Sequence, residues 1–133
     1  MKRAFAAGAR YAVALFALGF LLGTLRVMLV VPMLGEFAAT LIELPLMLTA
    51  AYLMCRWIVR RWRVAERASA RAAMALSFLL LMLLFEAVLG LTLMGRTATE
   101  QAAAFATPSG LAGLAAQTIS ALFVFLVDRS GRR

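Results

Sequence analysis

Four polar side chains interrupt long apolar stretches of this chain, and each is of a kind that can take part in binding or proton transfer. Arg26, Glu43, Glu86 and Gln117 each lie within a different predicted helix. An arginine can bind carboxylates through a planar fork of donors. A carboxylate among apolar residues can carry a proton, bind a cation or accept hydrogen bonds. These residues are therefore our candidates for binding or transport.

The depths of these residues within their helices place them in one layer. Arg26 lies seven residues before the end of the first predicted helix, and Glu43 lies six residues after the start of the second. Both are thus roughly 10 Å below the same boundary, and Glu86 and Gln117 fall near that level. We expect a buried Arg–Glu layer with one carboxylate in excess. A clamp that fixes helix register and a functional site both fit this pattern.

The composition of the chain places this layer in a membrane. Hydrophobic residues make up 65% of the 133 residues and charged residues 15%, against about 45–50% and about 25% in a soluble domain. So small a chain cannot bury that much apolar surface within itself, so lipid must cover part of it. The sequence predicts an all-α integral membrane four-helix bundle, a single domain over 1–133, with helices at approximately 11–33, 37–59, 72–94 and 111–127.

The placement of the basic residues predicts an orientation. Of the 14 Lys and Arg, three lie at 2–10, six at 56–71 and three at 129–133. By the positive-inside rule, the N-terminus and the C-terminus are cytoplasmic. Nucleic acid is not a favoured partner, because binding it would need a continuous basic stripe on soluble structure.

Two further sets of residues predict contacts with lipid and between helices. Tryptophan favours the headgroup layer and arginine attracts anionic lipid, so a lipid interface at the cytoplasmic face is predicted at Trp57, Arg60, Arg61, Trp62 and Arg63. Small residues let helices approach closely, and the predicted packing positions are Gly19, Gly23, Gly90 and Gly113. Beyond the bilayer, the partners that these glycines suggest are a second copy or a larger membrane complex.

The scarcity of certain side chains narrows the chemistry. The chain has no histidine, and Cys55 is its single cysteine. Imidazole-ligated metals, histidine bases and an intramolecular disulfide are thereby excluded. We predict no metal and no cofactor. An enzyme is the least favoured class, because only a carboxylate-based or lipid-directed reaction remains.

The first hairpin carries a motif of its own. The pattern G-T-x-R-x5-P-x2-G-E-x6-E-x-P runs from Gly23 to Pro45. It resembles the first hairpin of a family of small four-span bacterial inner-membrane proteins. The resemblance implies the four-span layout and no particular activity.

Two functions follow as hypotheses. The first is a non-enzymatic multi-pass membrane protein that acts by helix–helix association, as an accessory or assembly subunit or as a homo-oligomer. The alternative is a small transporter or proton-coupled carrier that uses Arg26, Glu43 and Glu86.

Overall fold

The computed structural model of the protein describes residues 2–93 and 95–127. Within them the chain is almost entirely helical and contains no β-strand. The helices are α1 (Lys2–Leu34), α2 (Glu36–Arg61), α3 (Ala68–Leu93), α4 (Ala98–Phe105) and α5 (Pro108–Leu126). Two short segments have π-helical hydrogen bonding, Arg26–Val30 in α1 and Leu89–Leu93 in α3.

Three of these helices are long and apolar enough to cross a membrane, namely α1, α2 and α3. A fourth crossing is counted only if α4 and α5, which are bent relative to each other, form one span. The protein is thus all-helical and suited to several membrane crossings.

Local signals explain where the helices begin and end. Gly35 separates α1 from α2 with a φ of 85°, a left-handed conformation that glycine adopts without a steric penalty. Thr97 caps α4 by accepting a hydrogen bond from the Glu100 N–H at 3.1 Å. Thr107 caps α5 in the same way, accepting from the Gly110 N–H at 3.0 Å. Each threonine satisfies a backbone donor that the first helical turn leaves unpaired.

The helices pack as a ring in which α1 contacts α3, α3 contacts α5, α5 contacts α2 and α2 contacts α1. The tightest packing is at the end where α1 and α3 begin and α2 and α5 end, which we call the basic end. There the Tyr11 ring stacks on Phe78 with centroids 4.2 Å apart. The Tyr11 hydroxyl donates to the Ser120 carbonyl at 2.9 Å, which ties α1 to α5 across the ring.

The opposite end, which holds Gly35 and α4 and which we call the hairpin end, is much more open. From Arg26 to Leu34, α1 contains no buried residue. Met28 is 68% exposed and Met33 is 82% exposed. An apolar surface of this extent needs lipid or another protein against it.

The helix bounds differ from the predicted ones most at the start of α1. It begins at Lys2, not near residue 11, because Ala4, Ala7 and Tyr11 pack in the core at the basic end. Charged residues near the terminus lower the local hydropathy and so shorten the helix that hydropathy predicts. They do not prevent the helix itself from extending beyond the bilayer. The predicted end of the third helix at Met94 and the basic cluster at 129–133 lie outside the described residues.

Candidate functional site

The first polar cluster joins α1 to α2 at the hairpin end. Arg26 Nε and Glu43 Oε2 lie 3.1 Å apart, and their side chains are 27% and 17% exposed. Arg26 Nη1 also donates to Thr40 Oγ1 at 2.9 Å. The Nε–H is not aligned on Glu43 as a hydrogen bond, so this contact is an ion pair. The pair is therefore partly open to whatever surrounds the helices.

Thr40 anchors this cluster, although it was not among the predicted site residues. Its hydroxyl donates to the Glu36 carbonyl one turn earlier at 2.9 Å. That bond orients the oxygen so that it can accept from Arg26. The signal in the sequence was its position three residues before Glu43, on the same face of α2.

The second polar cluster joins α3 to α5. Gln117 Nε2 donates to Glu86 Oε1, and the Gln117 side chain is buried. Gln117 Oε1 is buried without a hydrogen-bond partner among the described residues. An amide oxygen left unpaired in this way carries a desolvation penalty.

Helix α4 closes over the second cluster. Gln101 Nε2 donates to the Glu86 carbonyl at 3.4 Å, and Gln101 Oε1 accepts from Arg96 Nη1 at 3.4 Å. A side chain at Gly90 would collide with Gln101, since an added Cβ would lie 2.6 Å from Gln101 Cδ. Gly90 therefore makes room for α4 and not for another long helix.

The structure brings the predicted residues together as two pairs. Arg26 meets Glu43, and Glu86 meets Gln117. Among the described residues, Glu86 forms no salt bridge with Arg26. The single Arg–Glu layer that the sequence predicted is therefore divided into two separate pairs. Equal depth does not imply a shared direction, because each side chain also points to one side of its helix.

Both pairs lie beside irregular backbone. The π-helical segment of α1 begins at Arg26, and that of α3 begins three residues after Glu86. Pro45 lies within α2, two residues after Glu43. π-helical segments are frequent at functional sites because they interrupt the regular hydrogen bonding of a helix.

Arg71 is a buried cation that sequence reasoning left among the surface arginines. Its side chain is only 5% exposed, and Nη1 donates to the Val124 carbonyl at 3.1 Å. It thereby binds a carbonyl of the last turn of α5, where a cation is favourable. Its spacing in the sequence could have indicated burial, because Arg71 lies four residues before Ala75 and on the same helix face as Met82.

The predicted packing glycines lie in different environments. Gly19 faces α2, where an added Cβ would be 3.3 Å from Met47 Cε. An added Cβ at Gly23 would be near only the Arg26 side chain of its own helix. An added Cβ at Gly113 would meet no atom within 4 Å. Two of the long helices approach each other closely at Gly8 instead, where an added Cβ would lie 2.5 Å from the Met74 carbonyl oxygen of α3.

The predicted lipid-interface residues gather at the basic end. The guanidinium of Arg10 lies over the Trp62 ring, 4.6 Å from its centroid, and joins α1 to the end of α2. Trp57 contacts Trp62 edge-on at 5.3 Å and is 60% exposed. The remaining members of the set, Arg60, Arg61 and Arg63, are all exposed.

No group of three or more potential metal ligands occurs in the residues that the structure describes. Cys55 is buried in the core and forms no disulfide within the part of the chain that the structure describes. The chemistry available in the two polar pairs is therefore that of a carboxylate, a guanidinium and an amide.

Fold and site together define a class: an all-helical chain with several helices able to cross a membrane, consistent with a multi-pass membrane protein. Comparisons with protein-family models, with curated proteins and with solved structures find no match for this chain.

Proposed function

We propose that the protein is a non-enzymatic multi-pass membrane protein that acts by helix–helix association, as an accessory or assembly subunit or as a homo-oligomer. The observation that carries this proposal is the uncovered hairpin end of α1 and α2. Large apolar side chains point outward there, and Val27, Met28 and Leu29 are each more than half exposed. Consecutive residues of a helix point in different directions, so three exposed residues in succession show that α1 is uncovered on several sides here.

The ion pair at the same level supports association over simple contact with lipid. An ionised side chain near the centre of a membrane helix costs about 2.5–3.5 kcal/mol by insertion scales. Because Arg26 and Glu43 are partly exposed, their pairing within one chain offsets only part of that cost. A second helix packed over the pair would separate its exposed parts from acyl chains. Polar groups between membrane helices stabilise association in this way.

The membrane and the orientation belong to the same proposal. The location is a bacterial inner membrane crossed four times, with α4 and α5 together making the last crossing. The clusters of basic residues at 2–10 and 56–71 support a cytoplasmic basic end. Arg96 is the one basic residue on the connection at the opposite side.

Cysteine cross-linking in membranes tests the association. In a Cys55→Ala background, single cysteines replace Val27, Met28 or Leu29, and oxidation is followed by gel electrophoresis. At least one of the three positions should form a discrete disulfide-linked product, because together they sample most directions around α1.

The matched control uses α3, whose exposed face is equally apolar. Cysteines at Leu76, Leu80 and Leu84, which are 55%, 59% and 55% exposed, should remain uncross-linked. Equal cross-linking from both helices, or none from α1, would argue against an interface between copies of the protein at the hairpin end.

A second candidate function is a small transporter or proton-coupled carrier that uses Arg26, Glu43 and Glu86. The observation that favours it is the π-helical backbone beside both polar pairs, together with Pro45 in α2. Irregular backbone lets a helix change its hydrogen bonding, as alternating access requires.

Proton flux in liposomes tests this second function. Under an imposed pH gradient, Glu86→Gln should reduce protein-dependent flux at least tenfold, because glutamine keeps the shape of the side chain and cannot titrate. Glu36→Gln is the control, since Glu36 is exposed at the hairpin end. Flux no greater than that of protein-free liposomes, or flux that survives Glu86→Gln, argues against the carrier.

A further inference from the structure

A groove with a concentrated positive charge lies on the outer surface of α2 at the basic end. Its volume is about 380 Å³, and it is open to the surroundings. The lining residues are Leu53, Arg56, Trp57, Arg60 and Arg61. No acidic side chain is among them, so the groove combines three guanidinium groups with an aromatic and an aliphatic side chain.

The aromatic wall of the groove is held in place by neighbouring rings and cations. Trp57 packs edge-on against Trp62, and Trp62 is covered by Arg10 from α1. Arg61 lies on the same Trp62 ring, 5.5 Å from its centroid. Stacking uses the flat face of a guanidinium, so its in-plane N–H groups can still donate to a ligand.

The order of residues along α2 makes the groove amphipathic. Leu53 lies one helical turn before Arg56 and Trp57, roughly 5 Å deeper in the membrane. Leu53 is 57% exposed, and Leu46, two turns deeper, is 59% exposed. A molecule seated here meets positive charge at the end of the helix and an apolar track below it. Free phosphate would use only the first of these features.

We propose that this groove is a binding site for an anionic glycerophospholipid, whose phosphate is bound by Arg56, Arg60 and Arg61 while an acyl chain follows Leu53. Arginine binds phosphate through two parallel hydrogen bonds. Basic pockets at the cytoplasmic ends of membrane helices bind anionic headgroups in this manner. The volume is near the lower end of the ~300–1,000 Å³ of ligand pockets, which is sufficient for a headgroup whose chains remain in the bilayer.

The C-terminal end of α2 disfavours an anion, because a helix ends in unpaired carbonyl groups that carry a partial negative charge. The backbone offsets part of this effect: the Trp62 N–H bonds to the Ile58 carbonyl at 3.0 Å, and the Val64 N–H bonds to the Val59 carbonyl at 3.1 Å. Three guanidinium groups outweigh the partial charge of about half a unit at the end of a helix.

Fluorescence quenching by brominated lipid tests the site in the full-length protein. In a Trp62→Phe background, Trp57 is the only tryptophan and lies in the groove. The protein is reconstituted in phosphatidylcholine vesicles containing a few per cent of chain-brominated phosphatidylglycerol, at 0.15 M salt. We expect quenching to saturate and to exceed that from the same fraction of brominated phosphatidylcholine. Excess unbrominated phosphatidylglycerol should reverse it, and this competition requires no substitution in the groove.

Two charge-matched double variants decide whether the groove or the net charge is responsible. Arg56→Gln/Arg60→Gln should weaken apparent lipid binding about 30-fold, as expected for the loss of two basic contacts. Lys2→Gln/Arg3→Gln removes the same charge from exposed positions at the start of α1, roughly 10 Å along that helix from Arg10. It should change binding less than about threefold, because salt screens charges beyond about 8 Å.

Several results would overturn the proposal. Equal quenching by the two brominated lipids would show that no headgroup is selected. Equal losses in the two double variants would show that the attraction is only that of net charge. Reversal by millimolar inorganic phosphate at constant ionic strength would show that the groove recognises the phosphate group alone and that the acyl chain contributes nothing to binding.

Discussion

Replacing Glu43 by glutamine is expected to be among the most destabilising single substitutions in this protein, at about 2–3 kcal/mol. The variant leaves the Arg26 guanidinium without its carboxylate, 3.1 Å away in the native protein. Thr40 alone cannot neutralise the charge. The midpoint of thermal unfolding in mild detergent should fall accordingly.

The double variant Arg26→Gln/Glu43→Gln distinguishes the ion pair from the two side chains as such. Two amides can bond to each other and leave no net charge in the membrane, so this variant should recover most of the lost stability. Glu36→Gln serves as the control and should leave the midpoint nearly unchanged, since that side chain is exposed. A double variant no more stable than Glu43→Gln would show that the charges do not interact appreciably.

The second large effect is expected at Gly8. A Cβ at this position would lie 2.5 Å from the Met74 carbonyl oxygen, and Gly8 is buried. Gly8→Ala must therefore force α1 and α3 apart where the core is tightest, beneath the Tyr11–Phe78 stack. We expect a loss of about 2–3 kcal/mol, measured as the thermal midpoint.

The same substitution at Gly113 supplies the control. An added Cβ there meets no atom within 4 Å. Alanine is the better helix former, so Gly113→Ala should be neutral or stabilise α5 by up to about 1 kcal/mol. If the two variants were equally destabilised, the close approach of α1 to α3 at Gly8 would not limit stability.

Much of the local structure could be predicted from particular residues. The predicted bounds of 11–33 and 37–59 put a break between the first two helices, and the structure places this break at Gly35. The last helix was predicted at 111–127, and α5 occupies Pro108–Leu126. Such signals act within a few residues along the chain, so sequence patterns are sufficient to detect them.

The candidate site was predicted less completely, because its pairing depends on contacts between distant helices. Gln101 was not singled out, although it bridges Arg96 and the Glu86 carbonyl. An exposed loop and a buried bridging residue can have the same local composition. Arg71 was grouped with surface arginines for a similar reason, since the order of helices in the ring decides which carbonyl it meets.

Composition and hydropathy alone were enough to indicate an all-helical membrane protein, because the free energy of placing a helix in lipid is a sum over its own residues. They also set the position of each polar side chain along its helix, because rise per residue is constant in a helix. Which of those side chains meet was decided only by tertiary structure. Helix α1 directs Arg26 toward Thr40 and Glu43 of α2, and α3 directs Glu86 toward Gln117 of α5. Rotation and order around the ring arise from packing at Gly8, Tyr11 and Phe78, far from the polar residues themselves.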